Sequence, residues 1–215
     1  NFESGFYDPT SDQFISEAER RFLDQRELYL VRHGHPYTCD DPDPDIDDEG
    51  KMQVMEAAEI LSAQNTHGFC GFTSPLLRCL RTASILHNML GIKFIVVPEA
   101  MESPNFMKDR EVFKLKNRSD LFPQFEWPSS QEWHVLPESP HDFYVRVKEM
   151  LHQFATRSIV VTHFGFIHLT AKIALCKELF TYEFPPASIT YFSRHDYKCL
   201  GWTQDAEVLQ NRPKV

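Results

Sequence analysis

Two histidines and two arginines stand where phosphoryl chemistry could gather. His33 lies in Arg32-His33-Gly34, directly after the apolar run Leu28-Tyr29-Leu30-Val31. His163 lies in Thr162-His163-Phe164-Gly165, directly after Ser158-Ile159-Val160-Val161. Between them in the chain, Thr73-Ser74-Pro75 leads into a segment that carries Arg78. An imidazole is a competent nucleophile toward phosphorus. Two guanidiniums provide forked, permanently charged donors that match phosphate oxygens. Glycines at 34 and 165 let backbone approach a bound group closely.

These residues meet only if the scaffold brings three strand ends together. Short apolar runs predict strands at 28–31, 69–72, 92–97 and 158–162, with a closing pair at 189–193 and 199–202. Helical spacing fills the gaps. Val54, Ala57, Ala58 and Leu61 share a face over 51–63, and Leu76, Leu80, Ala83 and Leu90 share one over 76–90, which Gly91 would end. Further helices are expected at 141–156 and 166–176. Strands alternating with helices predict an α/β fold, a three-layer α/β/α sandwich with a largely parallel central sheet. In such sheets ligands bind beyond the carboxyl ends of the strands, where all three reactive segments fall. Residues 1–25 read as an N-terminal arm with one helix near 16–23. Residues 26–215 read as the domain, with an irregular, Pro- and aromatic-rich lid or insertion at about 99–140.

Composition sets the outer bounds. A chain of 215 residues with 42% hydrophobic and 25% charged residues is ordinary globular protein, long enough to fold without a disulfide or metal staple. Twenty-two basic against thirty-one acidic residues leave a net charge of −9, which argues against a nucleic-acid binder. Five cysteines, an odd number with no CxxC spacing, argue against a disulfide framework or zinc ribbon and suit reduced thiols in the cytoplasm. No run approaches the ~18 apolar residues of a membrane span, and no signal peptide opens the chain.

Four blocks in order resemble the histidine phosphatase superfamily, the group that includes cofactor-dependent phosphoglycerate mutase. They are Leu28-Tyr29-Leu30-Val31-Arg32-His33-Gly34; Gly50-Lys51-Met52-Gln53; Ser74-Pro75-Leu76-Leu77-Arg78-Cys79-Leu80-Arg81-Thr82-Ala83; and Thr162-His163-Phe164-Gly165. The resemblance implies that His33 takes the phosphoryl group and that Arg32, Arg78 and a protonated His163 form the phosphate pocket. It favours Arg78 over Arg81, because the spacing from Pro75 selects it. It places the general acid in Pro98-Glu99-Ala100-Met101-Glu102, with Glu102 as the choice and Glu99 as runner-up.

The expected function is therefore a phosphatase that hydrolyses a phosphomonoester, small molecule or phosphoprotein, through a phosphohistidine on His33. No cofactor or metal is called for, and oligomeric state stays open. A mutase is the rival enzyme. It is disfavoured because His35 and Cys39 stand where the mutase pattern carries Glu or Gln and then Asn. A non-catalytic binder of phosphorylated ligands or proteins is the other rival, and it has no need of a nucleophile. The acidic stretch 40–49 loosely echoes a calcium loop. Ile46 sits where that loop needs Gly, prolines interrupt it and the closing Glu is missing, so a solvated loop with Asp47 or Asp48 capping the next helix is the better reading. Lys108, Arg110, Lys114, Lys116 and Arg118 read first as a solvated face, or else as lid cations for a second anionic group.

Overall fold

Leu28 to Val31 are all apolar, so no edge or half-solvated strand would suit them; they need cover on both faces. A computed structural model of the chain describes residues 26–103, 113–115, 117–129, 133–135, 138–175, 184–193 and 196–200. In it this run forms β1 (Glu27–Arg32) at the centre of a sheet. The chain continues through α1 (Asp48–Ser62), β2 (Cys70–Thr73), α2 (Leu77–Leu90), β3 (Phe94–Val96) and a 3-10 turn (Pro98–Ala100). Then come the short strands β4 (Phe113–Leu115) and β5 (Trp133–Val135), α3 (Pro140–Gln153), β6 (Arg157–Thr162), α4 (Phe164–Leu175), β7 (Ile189–Ser193) and β8 (Asp196–Leu200). The expected helix near 16–23 lies outside the described residues.

The main sheet has the order β3-β2-β6-β1-β7-β8. Strands β3, β2, β6 and β1 are mutually parallel, whereas β7 runs antiparallel to both β1 and β8. Alternate residues of the central strands feed two separate cores. Tyr29, Val31, Ile159 and Val161 pack with Val54, Leu61, Leu80 and Leu86 of α1 and α2. Leu28, Leu30 and Val160 pack with Val147, Leu151, Phe166 and Ile167 of α3 and α4. The sheet is thus covered on both faces, which gives the expected three layers.

Helix ends follow local chemistry. The Asp47 carboxylate accepts from Gly50 N–H at 2.7 Å and caps α1. Gly91 closes α2 at φ 70°, a left-handed conformation that glycine adopts without penalty. Ser139 and Asp142 form a reciprocal capping box on α3, with Pro140 in its first turn. Helix α4 begins at Phe164, two residues before the periodicity suggests, because His163 itself supplies the first carbonyl, accepting from Ile167 N–H at 3.1 Å.

Part of the 99–140 segment is core rather than lid. Phe122 and Phe125 are buried against Phe94, and Glu126 exchanges backbone hydrogen bonds of 2.8 and 3.0 Å with β3. That cover pairs part of an edge strand that would otherwise expose its backbone.

Candidate active site

Register brings the two histidines together. In the parallel pair β1 and β6, Arg32 lies opposite Thr162, so His33 and His163 leave the sheet side by side. His33 N–H donates to Thr162 O at 3.0 Å, and Ser74 N–H donates to Val161 O at 3.1 Å. The ring centroids of His33 and His163 stand 5.2 Å apart. Three strand ends therefore converge as the spacing predicts.

His33 is only 6% exposed, and its Nδ1 lies 2.8 Å from the carbonyl oxygen of Gly34. A carbonyl can only accept, so Nδ1 carries the proton and Nε2 keeps its lone pair. Burial holds this imidazole well below its ordinary pKa, and Arg78 and Arg32 push it the same way. It is a neutral, oriented base.

The turn beneath it is built from two interlocked glycines. A Cβ on Gly34 would lie 2.6 Å from Gly50 O, and one on Gly50 would lie 2.3 Å from His35 O. The glycines of the first and second blocks are thus needed for close backbone approach. Ala187 donates its N–H to His33 O at 3.0 Å from a left-handed φ of 57°, a strained setting for a residue with a Cβ. Nothing in the local sequence signals that support.

The arginines behave differently from one another. Arg32 donates through Nη1 to Phe184 O, and its guanidinium carbon lies 5.6 Å from the Phe164 ring centroid. Its buried Nε has no hydrogen-bond partner among the described residues. Arg78 is buried in the first turn of α2, where its charge pulls down the pKa of both the Glu102 and the Asp43 carboxyl. Arg81, by contrast, is engaged by Asp45 through Nε at 3.1 Å and Nη2 at 2.9 Å. A half-buried Arg32 with an unpartnered Nε and a buried Arg78 make a site that attracts an anion.

His163 is fully buried, with Nε2 2.9 Å from Ser74 Oγ and 3.4 Å from Cys79 Sγ. Burial, then Arg78 and His33, hold its pKa well below the ordinary value. This favours the neutral imidazole in the ligand-free protein, and a dianion bound beside it would favour the protonated form.

Glu102 is 6% exposed, whereas Glu99 is exposed to solvent on the 3-10 turn. The Glu102 carboxyl accepts from Ser103 N–H at 3.1 Å and from Gly165 N–H at 3.0 Å. Burial pushes its pKa up, against the opposing pull of the Gly165 N–H, Arg78, the Ser103 N–H and Arg32. Arg146 holds the backbone around it, donating to Glu99 O and to Met101 O at 2.9 Å, while Thr162 Oγ1 donates to Ala100 O at 2.7 Å.

The aspartates of the acidic loop have separate tasks. Asp43 accepts from Leu77 N–H at the start of α2 and from Arg118, Asp45 holds Arg81, and Asp47 caps α1 while meeting His35 Nδ1 at 2.7 Å. Among the described residues no group of three His, Cys, Asp or Glu side chains is placed to hold a metal ion. A groove of about 930 Å³ opens at the opposite end of the sheet, along 62–71 and 89–95, and contains none of the candidate site residues Arg32, His33, Arg78, Glu102 and His163.

The sequence profile of the histidine phosphatase superfamily (branch 1) matches residues 28–203. The chain belongs to the histidine phosphatase superfamily. Solved structures of this fold resemble it at low sequence identity. Ecdysone phosphate phosphatase from Bombix mori, in complex with tungstate, aligns at a TM-score of 0.58 and 14% identity, over 82% of this chain and 92% of its own. Phosphoserine phosphatase from Entamoeba histolytica, in complex with 3-phosphoglyceric acid, aligns at 0.55 and 18% over 83% and 98%. A mycobacterial glucosyl-3-phosphoglycerate phosphatase aligns at 0.55 and 16% over 84% and 99%. At these identities the likeness carries the fold alone. No match was found among curated protein sequences. Arg32, His33 and His163 sit at the carboxyl ends of β1 and β6, and Arg78 sits in the first turn of the helix that follows β2. No described helix is long and apolar enough to cross a membrane.

Proposed function

We propose that the protein is a phosphatase that hydrolyses a phosphomonoester through a phosphohistidine on His33. The observation that carries this reading is the His33 Nδ1–Gly34 O contact of 2.8 Å, which leaves Nε2 unprotonated within the field of buried Arg78 and half-buried Arg32. In the first step Nε2 attacks phosphorus and the bond to the alcohol oxygen breaks. Glu102, whose pKa burial raises, gives its proton to the leaving oxygen. Arg32 and Arg78 hold the equatorial oxygens, with His163 once the dianion has raised its pKa. That preorganised charge supplies the largest share of the rate gain. In the second step the Glu102 carboxylate takes a proton from water, the oxygen attacks phosphorus, the N–P bond breaks and inorganic phosphate departs.

Glu102 suits the acid role better than Glu99, because desolvation is what keeps a carboxyl protonated near neutral pH. Arg78 suits the phosphate role better than Arg81, which Asp45 already occupies. His35, tied to Asp47, stands where the mutase pattern has Glu or Gln, which favours hydrolysis over return of the phosphoryl group. The solved relatives act, by name, on esters of unlike alcohols, in keeping with a pocket that reads phosphate first. The positive charge comes from arginine, so saturating chelator should leave turnover unchanged.

Rapid quench after mixing with a labelled aryl phosphate tests the intermediate. Label should stay on the protein in alkali, leave in acid and be absent from His33→Ala. Acid-stable label, or label retained by His33→Ala, would overturn the assignment.

A further inference from the structure

One buried hydroxyl joins the turn that carries the nucleophile to the helix that carries Arg78. Thr82 is fully buried in α2. Its Oγ1 donates to Arg78 O at 2.8 Å, the bond back to the preceding turn that helical threonines commonly make. The same oxygen also accepts from Gly34 N–H at 3.1 Å, across 48 residues of sequence. Gly34 in turn accepts from His33 Nδ1. The contacts run without a break from the His33 imidazole through Gly34 and Thr82 to the backbone of Arg78. Gly34 has no slack beside it, since Gly50 O and Val54 Cγ2 occupy the space where a Cβ would stand. If Thr82 withdrew its oxygen, the Gly34 N–H would be buried without a partner.

We infer that Thr82 is a positioning residue that sets the spacing between the nucleophile His33 and the phosphate-holding Arg78. This rests on the phosphohistidine reading above. Thr82 meets no substrate. Its effect is on geometry: the phosphorus that Arg78 holds must lie on the line of attack from His33 Nε2, and a misplacement of about 1 Å can cost on the order of 10² in rate.

Thr82→Val keeps the shape and removes both hydrogen bonds; Thr82→Ser keeps both bonds and drops a methyl. Three readouts separate positioning from mere support of the fold. They are the rate of phosphoenzyme formation per folded molecule with para-nitrophenyl phosphate, the dissociation constant for inorganic phosphate, and the proton–nitrogen NMR signal of His33 Nδ1–H. Thr82→Val should slow phosphoryl transfer by roughly 10²-fold, weaken phosphate binding by less than about tenfold and shift or broaden the Nδ1–H signal. Thr82→Ser should remain within about threefold of the native protein in the first two and keep the signal. A folded Thr82→Val with native transfer rate and native signal would overturn the inference. So would a folded Thr82→Ser that lost more than about tenfold in rate, and this second variant decides the matter if Thr82→Val does not fold. If the native protein forms no phosphoenzyme, the functional reading fails on its own. The Nδ1–H signal then still reports whether Thr82 governs His33.

Discussion

Glu102 Oε2 accepts from the backbone N–H of Gly165 at 3.0 Å, which hooks the carboxyl to the first turn after His163. That N–H is one of the donors a helix start leaves unused. Glu102 is thereby placed, buried and kept beside both arginines at once. Glu102→Gln should cost on the order of 10²–10⁴ in kcat with an alkyl phosphate and little with an activated aryl phosphate, whose oxygen leaves unprotonated. It should also flatten the alkaline limb of kcat for the alkyl substrate, because the acid must be protonated to act. Glu99→Gln should be nearly silent on both. Steady-state rates on the two substrates decide this; equal losses on both would make Glu102 a positioning group instead.

Arg78 and Arg81 lie three residues apart and should part company in experiment. Arg78→Ala should reduce the rate of phosphoryl transfer by roughly 10²–10³-fold and weaken vanadate binding. Arg81→Ala removes a pair with Asp45 whose arginine side chain is 40% exposed, and should change stability by only about 0–1 kcal/mol. Titration calorimetry with vanadate and thermal unfolding read the two effects. A native-like Arg78→Ala would sink the phosphate-pocket assignment.

Both histidines are held below their ordinary pKa, and this gives stability a pH dependence of known sign. A group with a depressed folded-state pKa contributes stability that is present above its unfolded value, near 6.5, and is lost as pH falls. Glu102, shifted upward, acts the other way: its contribution is present at low pH and lost as pH rises. His168, lowered to about 4, adds to the two site histidines, and Asp43 is raised like Glu102, so three histidines against two carboxyls should make the ligand-free protein lose Tm as pH drops below about 6.5. His163→Asn should shallow that slope. Calorimetric scans from pH 8 to pH 5 provide the check, and a flat profile in the native protein would contradict it.

Asp43 and Arg118 form an ion pair with side chains 7% and 11% exposed. Burial pushes the Asp43 carboxyl up while Arg118 pulls it down, so the pair itself is a costly feature that only mutual contact sustains. Asp43→Ala should strand Arg118 and remove a bond to Leu77 N–H, destabilising the fold by about 3–5 kcal/mol. The double change Asp43→Ala with Arg118→Met should recover much of that loss. Denaturant titrations of the two variants supply the measurement; equal stability of single and double variants would show that Arg118 is not stranded.

The elements and most residues of the candidate site could be picked out along the chain because the signals are local. An apolar run of four followed by Arg-His-Gly, or by Thr-His-Phe-Gly, marks a buried strand and what hangs at its end. The spacing from Pro75 singled out Arg78, and the 3.6-residue period placed α1 and α2. Local signals also explain the misses. The periodicity over 166–176 could not show that His163 starts the helix, and the irregular, Pro-rich pattern of 99–140 could not show which of its aromatics join the core, as Phe122 and Phe125 do. What the tertiary structure decided are matters of distance and desolvation between residues far apart in sequence. Glu102 and Glu99 have the same chemistry, three residues apart, and only burial distinguishes them. The proton on His33 Nδ1 is assigned by a carbonyl at 2.8 Å, and Asp43 finds Arg118 across 75 residues. Charge state and hydrogen-bond geometry depend on every group within a few ångströms, whatever its number in the chain, so they become fixed only when the strands are in register.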